Sequence, residues 1–413
     1  MTMNVFGQRC SRRLQMLAAV SVCSLLLACG GVGSGGTGLP GGGGALGVLS
    51  GLPSRAEGTI TGFGSVIVDG VRYDDSALSA TYVTDYDEGQ QPVALHLGQR
   101  VRLELDAGDK AVAIEVLPQL QGPVTAAPDS GWLQVAGQWV RVGPKVFLPD
   151  HAQLLDINTD SKDLEVHGVW SYDPQRGAVL EATLVRLRAL PVSGDATVQP
   201  VLVGGVVHAV DGRTVTVGAA GGVRFTLPES ASVPPVGTLV SFWVDRAVLA
   251  QPQPWGVRGG RRPLVLADGS TMSLSGAISA IDGSSSSIQG VKIEFPSGSG
   301  GPGVQSTAPQ LGDFVQVTVR RVGDQLQLLK SEVRGQAAAV SIPVEVRATL
   351  SGTDWTQRPL LIKPRDVGVL IPPSVLEDSG CAGFGGAAVE VSLKAESGPL
   401  PLTATELTCA QAR

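Results

Sequence analysis

One phrase recurs along the chain and limits what it can fold into. Residues 205–212 read GVVHAVDG and residues 276–283 read GAISAIDG, both of the form G-x-h-x-A-h-D-G with h apolar. Residues 58–64, GTITGFG, keep the Gly and apolar positions, and residues 122–129, GPVTAAPD, form a weaker copy. A second phrase, G-x-x-V-x-h-x-h, follows at 98–105, 237–244, 312–319 and 386–393, while 164–169, LEVHGV, stands in its place in the second copy. Self-similarity at a steady period means one small structural unit built again and again. Five units emerge: 57–120, 121–190 (divergent), 201–268, 273–336 and 337–413 (divergent).

Each unit reads as β. Asp69-Gly70 sits between Val66-Ile67-Val68 and Val71-Arg72-Tyr73, the pattern of a two-residue hairpin whose turn positions both need positive φ. In Val101-Arg102-Leu103-Glu104-Leu105 apolar and charged residues alternate, which predicts one buried and one wet face. The fourth unit repeats the design with Val315, Val317 and Val319, a turn at Gly323-Asp324, then Leu326 and Leu328. No helical period runs for a dozen residues after the N-terminal segment. A unit of 60–75 residues with about five strands must pair or close its edges. The expectation is an all-β chain: a tandem array of about five small β-barrel-like domains of the OB or SH3 kind.

The wording GTITGFGSVIVDGVRYD at 58–74, with LGQRV at 97–101, resembles a bacterial family known only as domain of unknown function 5666. The resemblance covers 58–118 and, less closely, 204–250 and 273–335. It implies tandem small β domains on secreted or lipid-anchored chains. It brings no activity and no catalytic residue.

The N-terminus carries Arg9, Arg12 and Arg13, then a mostly apolar run from Leu14 to Ala28, too short for a comfortable membrane span. The run ends in Leu26-Leu27-Ala28-Cys29-Gly30, which resembles the lipobox of bacterial lipoproteins. The resemblance implies a signal peptide over 1–28, cleavage before Cys29 and acylation of that cysteine. Multiple acyl chains anchor stably where one would be marginal. Gly30 rather than Asp after the cysteine implies the outer membrane, facing the periplasm or the cell surface. The alternative is an ordinary secretory signal ending by chance in cysteine. Residues 29–56 form a Gly-rich tether. Its chance G-x-G-x-x-G at 31–36 has no strand before it and no helix after it, so it carries no nucleotide reading.

Loss of residues 1–28 removes three Arg and no acid, moving the net charge from −6 to −9. An acidic body disfavours nucleic acid, whose phosphates need excess Lys and Arg. Cys10 and Cys23 leave with the signal, so Cys381 and Cys409 are the pair left to oxidise; the alternative is two free thiols.

Few residues of the chain fall into a pattern that carries chemistry. His96, His151, His167 and His208 are scattered over three units, with no H-E-x-x-H or C-x-x-C, so no metal or cofactor is expected. His151 and His167, with Asp150, Asp156 and Asp160, either gather in a metal site or are solvated loop residues. Asp85-Tyr86-Asp87-Glu88-Gly89 has the carboxylate density of a calcium loop without its full ligand spacing. No G-x-S-x-G occurs. Trp132 and Trp139 are either a sugar-stacking pair or core. Trp255, Arg258, Arg261 and Arg262 form a basic, Trp-bearing patch suited to an anionic partner, or else an inter-unit linker.

The functional expectation is a lipid-anchored cell-envelope protein that binds or spaces rather than catalyses. Its partners would be the membrane through its lipid, and an envelope protein, a polysaccharide or anionic headgroups. The alternatives are an envelope glycan or peptide hydrolase with a dispersed site, and a sensor or assembly factor of an envelope machine.

Overall fold

Period-two burial dominates the computed structural model, which describes residues 54–84, 89–149, 163–188, 200–218, 222–250, 257–260, 266–283, 285–294, 310–337, 343–364, 367–384 and 387–412. The signal, Cys29, the Asp85–Glu88 loop and His151 lie outside these residues. Unit one holds β1 (Ser54–Phe63), β2 (Val66–Val68), β3 (Val71–Tyr73), β4 (Ala80–Thr84), β5 (Gln90–Pro92), β6 (Arg100–Leu105) and β7 (Ala111–Val116). Unit two holds β8 (Leu120–Asp129), β9 (Trp132–Val135), β10 (Gln138–Arg141), β11 (Asp163–Asp173) and β12 (Gly177–Leu187). Unit three holds β13 (Val201–Asp211), β14 (Thr214–Val217), β15 (Val223–Thr226), β16 (Leu239–Val244), helix α1 (Ala247–Ala250) and β17 (Val257–Gly260). Unit four holds β18 (Thr271–Asp282), β19 (Ser285–Ile288), β20 (Val291–Glu294), β21 (Asp313–Val322) and β22 (Gln325–Gln336). Unit five holds β23 (Val344–Leu350), β24 (Leu360–Ile362), β25 (Val369–Ile371), helix α2 (Pro373–Asp378), β26 (Val389–Ala395) and β27 (Leu402–Gln411). The chain is all-β, with these short helices and one 3₁₀ turn among the described residues.

Two differences from the sequence reading are local. β1 begins at Ser54, so 54–56, assigned to the tether, is strand; it pairs with β6 on one side and β18 on the other. The segment around Arg258, read as loop, contains β17, antiparallel to β16.

The units share one strand circuit. In unit two β8 pairs β9, β9 pairs β10, β10 runs parallel to β12, β12 pairs β11, and β11 returns to β8. Unit four closes the same ring through β18, β19, β20, β22 and β21. Units one, three and five follow the same order with one join unmade among the described strands; in unit one β4 rather than β3 lies parallel to β7.

The recurring phrases have structural jobs. The first phrase places a β-bulge at the same point of the opening strands of units one to four: between Ile60 and Gly62, Val124 and Ala126, Val207 and Ala209, and Ile278 and Ala280. A bulge bends a strand sharply, which lets a five-strand ring close. The glycine of the second phrase takes positive φ at Gly98, Gly237 and Gly312. Its N–H donates to the carbonyl just before the bulge, on Ile60, Val207 and Ile278 respectively, at 2.8–2.9 Å. The two phrases are therefore the two halves of one contact.

The apolar cores cross unit boundaries. Ile60, Leu103 and Ile114 of unit one share a cluster with Trp355, Leu376 and Leu393 of unit five. Units two and three share another, around Leu164, Trp170, Val203 and Phe225. Unit four has its own, around Leu274, Ile288 and Val317. Between units one and five, β1 and β23 run parallel. There a Cβ on Gly62 would lie 2.0 Å from the Glu345 carbonyl oxygen, so only glycine permits the approach.

In unit five Pro372 and Pro373 start α2, and Leu376 buries beneath it. The chain then turns through Gly380 at φ 70° to Cys381, which is fully buried and disulfide-bonded to Cys409 on β27. The bridge closes a 28-residue separation, worth about 3.5 kcal/mol by loop entropy. Because the core is common to units one and five, reduction is expected to loosen both. Hydrogen exchange of the reduced protein should speed up in β6 and β7 as well as in β26 and β27; acceleration confined to unit five would show separate folding.

Candidate functional site

Where units one, two and four meet, charged groups are buried in one network. β6 sends Val101, Leu103 and Leu105 inward and turns Arg100 and Arg102 outward. That outward face is covered rather than wet. Arg100 is wholly buried; its Nη2 donates to the Ser275 carbonyl of β18 at 2.9 Å and lies 3.7 Å from Glu57 Oε1. Arg102 bridges Glu57 at 2.9 Å and Glu115 at 3.2 Å. Asp69, in the turn after β2, accepts from the Thr59 N–H at 2.9 Å and from Ser275 Oγ. Burial pushes its carboxyl up, although Arg100 and the Ser275 hydroxyl pull the other way. Arg334 of unit four donates to the Asp69 carbonyl at 3.1 Å.

Unit two enters through β11. The Arg100 N–H donates to His167 Nδ1 at 3.3 Å, so the ring carries its proton on Nε2, which donates to Glu165 Oε1 at 2.9 Å. Arg186 adds Nε and Nη2 to the same oxygen at 2.8 and 2.7 Å, and Gln121 donates to Oε2 at 2.8 Å. Burial alone would raise the Glu165 carboxyl; His167 and Arg186 hold it at about 2. His167 is thus a fully buried strand residue, neither loop nor ligand. At the far side of unit two, Arg246 of unit three forks onto Asp163 with contacts of 3.0 and 2.5 Å.

The outer face of unit two is aromatic and cationic. Trp132, which faces Arg141 across the β9–β10 pair, and Trp139, which faces Gln134, stand edge-to-face with centroids 6.4 Å apart. Arg141 lies 4.6 Å and Arg176 4.3 Å from the Trp132 centroid, and Arg176 also lies 5.1 Å from that of Trp139. With guanidinium groups on the rings, stacking on a sugar is not what this pair is arranged for. Arg141 pairs with Asp173 at 3.3 Å and with Glu181 at 3.4 Å. Burial and the nearby Asp173 push the Glu181 carboxyl up to about 7, against the pull of Arg141.

Two recesses flank this face. One is a cavity of about 330 Å³ at the meeting of units one, two, four and five. Its walls include Val146, Phe147, Val169, Phe314, Ala337 and Val344, and its polar side includes Arg141, Lys145 and Glu181. The segment after β10 forms one wall because Phe147 bridges to Leu184 of β12 in parallel. Thr183 there donates to the Gly98 carbonyl at 2.6 Å. The other recess is a groove of about 920 Å³ among units two, three and four. It is lined by Tyr172, Val236, Ile281 and Leu311, with Trp139 and His208. Tyr172, Val236 and Ile281 are 48%, 62% and 48% exposed.

Of the patch read from the sequence, Trp255, Arg261 and Arg262 lie outside the described residues, and of Arg258 only the backbone, on β17, is described. No group of three His, Cys, Asp or Glu that could hold a metal ion occurs among the described residues. Sequence reasoning missed Glu181 and Arg141 because their partners come from separate strands. It also missed Arg100, whose alternation reads as solvent-facing. No protein-family model matches the chain, and no curated protein sequence matches it.

Truncating the buried cation should cost heavily, since it strands the groups around it. Arg100→Ala is expected to lower unfolding free energy in urea by about 3–5 kcal/mol. For Glu181, the folded state holds a proton that the unfolded chain releases between pH 4.5 and about 7. Its contribution is therefore present at low pH and lost as pH rises through that window. Urea titrations at pH 5 and pH 8 should show wild type losing about 2–3 kcal/mol relative to Glu181→Gln; parallel curves would refute the raised carboxyl.

Proposed function

We propose that the chain is a lipid-anchored cell-envelope protein that binds a partner and does not catalyse, with the groove among units two, three and four as its binding surface. Each unit is read as a five-stranded barrel of the OB kind, a reading supported by the closed strand circuits of units two and four. Such barrels bind on their outer faces and loops, their interiors being filled with side chains. The anchor is Cys29, on the strength of the lipobox-like run before it. No helix among the described residues is long and apolar enough to cross a membrane.

One observation carries the binding reading. Seven large apolar side chains are exposed among the described residues, and four of them, Tyr172, Val236, Ile281 and Leu311, line this one groove. Apolar side chains scattered singly need no explanation, but their concentration in one recess marks an interaction site. The side chains favour an envelope protein segment with apolar anchors over a polysaccharide or a headgroup. Arg246 ties unit three to unit two, and Arg100 of unit one ties units two and four to each other, so the groove is preorganised and loses little ordering entropy on binding.

Fatty-acid labelling should mark wild type and leave Cys29→Ser unlabelled and released from membranes. A photo-crosslinker at Leu311 in living cells should trap a discrete protein adduct, reduced at least tenfold in a Val236→Asp, Ile281→Asp double variant. Both substituted residues are exposed, so the fold should tolerate the change. Equal adducts from both proteins would remove the groove from the reading.

A further inference from the structure

The cavity at the four-unit meeting point has a built polarity that the groove does not explain. Its inner wall is apolar: Val169 of β11, Ala337 after β22 and Phe314 of β21, with Val146, Phe147 and Val344 closing the sides. Three threonines on the lining are already engaged. Thr183 donates to the Gly98 carbonyl, Thr59 Oγ1 receives Arg100, and Thr61 Oγ1 accepts from the Gly70 N–H. What remains for a ligand is one charged rim.

That rim carries a surplus of positive charge. Arg141 divides two carboxylates, Asp173 and Glu181, and Arg176 sits 3.9 Å from Asp173. Lys145, exposed at the mouth, makes no ion pair with any described residue. Of these groups Arg141, Lys145 and Glu181 line the cavity itself, two cations to one carboxyl. Units four and five face it across the cavity with Phe314, Ala337, Val344 and Ser397, none of which titrates.

We propose that this cavity binds a small amphipathic carboxylate, its apolar part against Val169 and Phe314 and its charged head between Arg141, Lys145 and Glu181. The head is a monoanion because Glu181, when it holds its proton, donates a hydrogen bond to one carboxylate oxygen, forming an acid–carboxylate pair that Arg141 and Lys145 neutralise. A volume of about 330 Å³ is at the lower end of small-molecule sites, so the ligand is a medium-length acyl chain or a single-ring aryl acid. Binding and protonation are then linked: the protonated site is the competent one, and affinity falls as pH rises past the Glu181 range.

The test uses the full chain with Cys29→Ser, so that no attached acyl chain competes, and isothermal titration with decanoate, decanol and decyl phosphate at pH 6 and pH 8. Decanoate should bind saturably at one site, about tenfold more tightly at pH 6 than at pH 8. Decanol and decyl phosphate should bind at least tenfold more weakly than decanoate at pH 6. Glu181→Gln, whose amide still donates, should bind decanoate with equal affinity at both pH values. Lys145→Glu, an exposed change, should weaken it at least tenfold, and Ala337→Leu should block it by filling the cavity. Absence of saturable decanoate binding, pH-independent binding by wild type, or equal binding of decanol would each overturn the assignment.

Discussion

A single guanidinium placed where no water reaches it sets the terms for how the units meet. The Arg100 side chain leaves the outer face of one strand ring and ends against the backbone of a second unit, while its own backbone N–H is bonded to a histidine of a third. A buried cation is tolerated only if its surroundings answer it, and here the answer comes from Glu57, Thr59 and Ser275. One donor, Nε, still has no partner. Apolar surfaces alone would let small β units slide over one another. A buried charge does not, since any other register leaves it unpaired. The joint therefore contributes specificity more than stability, and the cavity and the groove inherit their shapes from it.

The shared cores follow from the same economy. Units of this size with so few aromatic residues bury too little apolar area to stand alone comfortably. Unit one completes its interior with unit five, and unit two with unit three. The disulfide near the chain end thus acts on the first unit as well as the last, because both draw on one cluster.

How much of this was legible depended on the range of the signal. The Asp69-Gly70 hairpin could be read directly, since Asp-Gly is a local device for φ of 48° and 82°. Ala136-Gly137 and Gln289-Gly290 make the same turn with nearly the same angles, yet Ala and Gln carry no comparable turn signal. The repeated phrases could be read as a period along the chain, and the cysteine count pointed to the bridge. What could not be read was which outward faces are covered. Arg100 and Arg102 alternate with Val101 and Leu103 as any solvated strand would. Glu181 meets Asp173 and Arg141 only after three strands have paired, and the walls of its cavity come from four units. Local pattern encodes the ring; contacts between rings leave no local trace.

β1 pairs with β2 and β6 nearby, but its other neighbours are β18 and β23, more than 200 residues further along. The strand is thus among the first parts of the body to be made and among the last to be satisfied. During synthesis or export its outer edge stays open, with unpaired N–H and C=O groups on a strand that is mostly buried in the finished protein. A chain cut short before β18 would display that edge indefinitely, an obvious target for holding chaperones and envelope proteases. The body consequently carries a built-in record of its own completion, written in whether its opening strand still has an edge to offer.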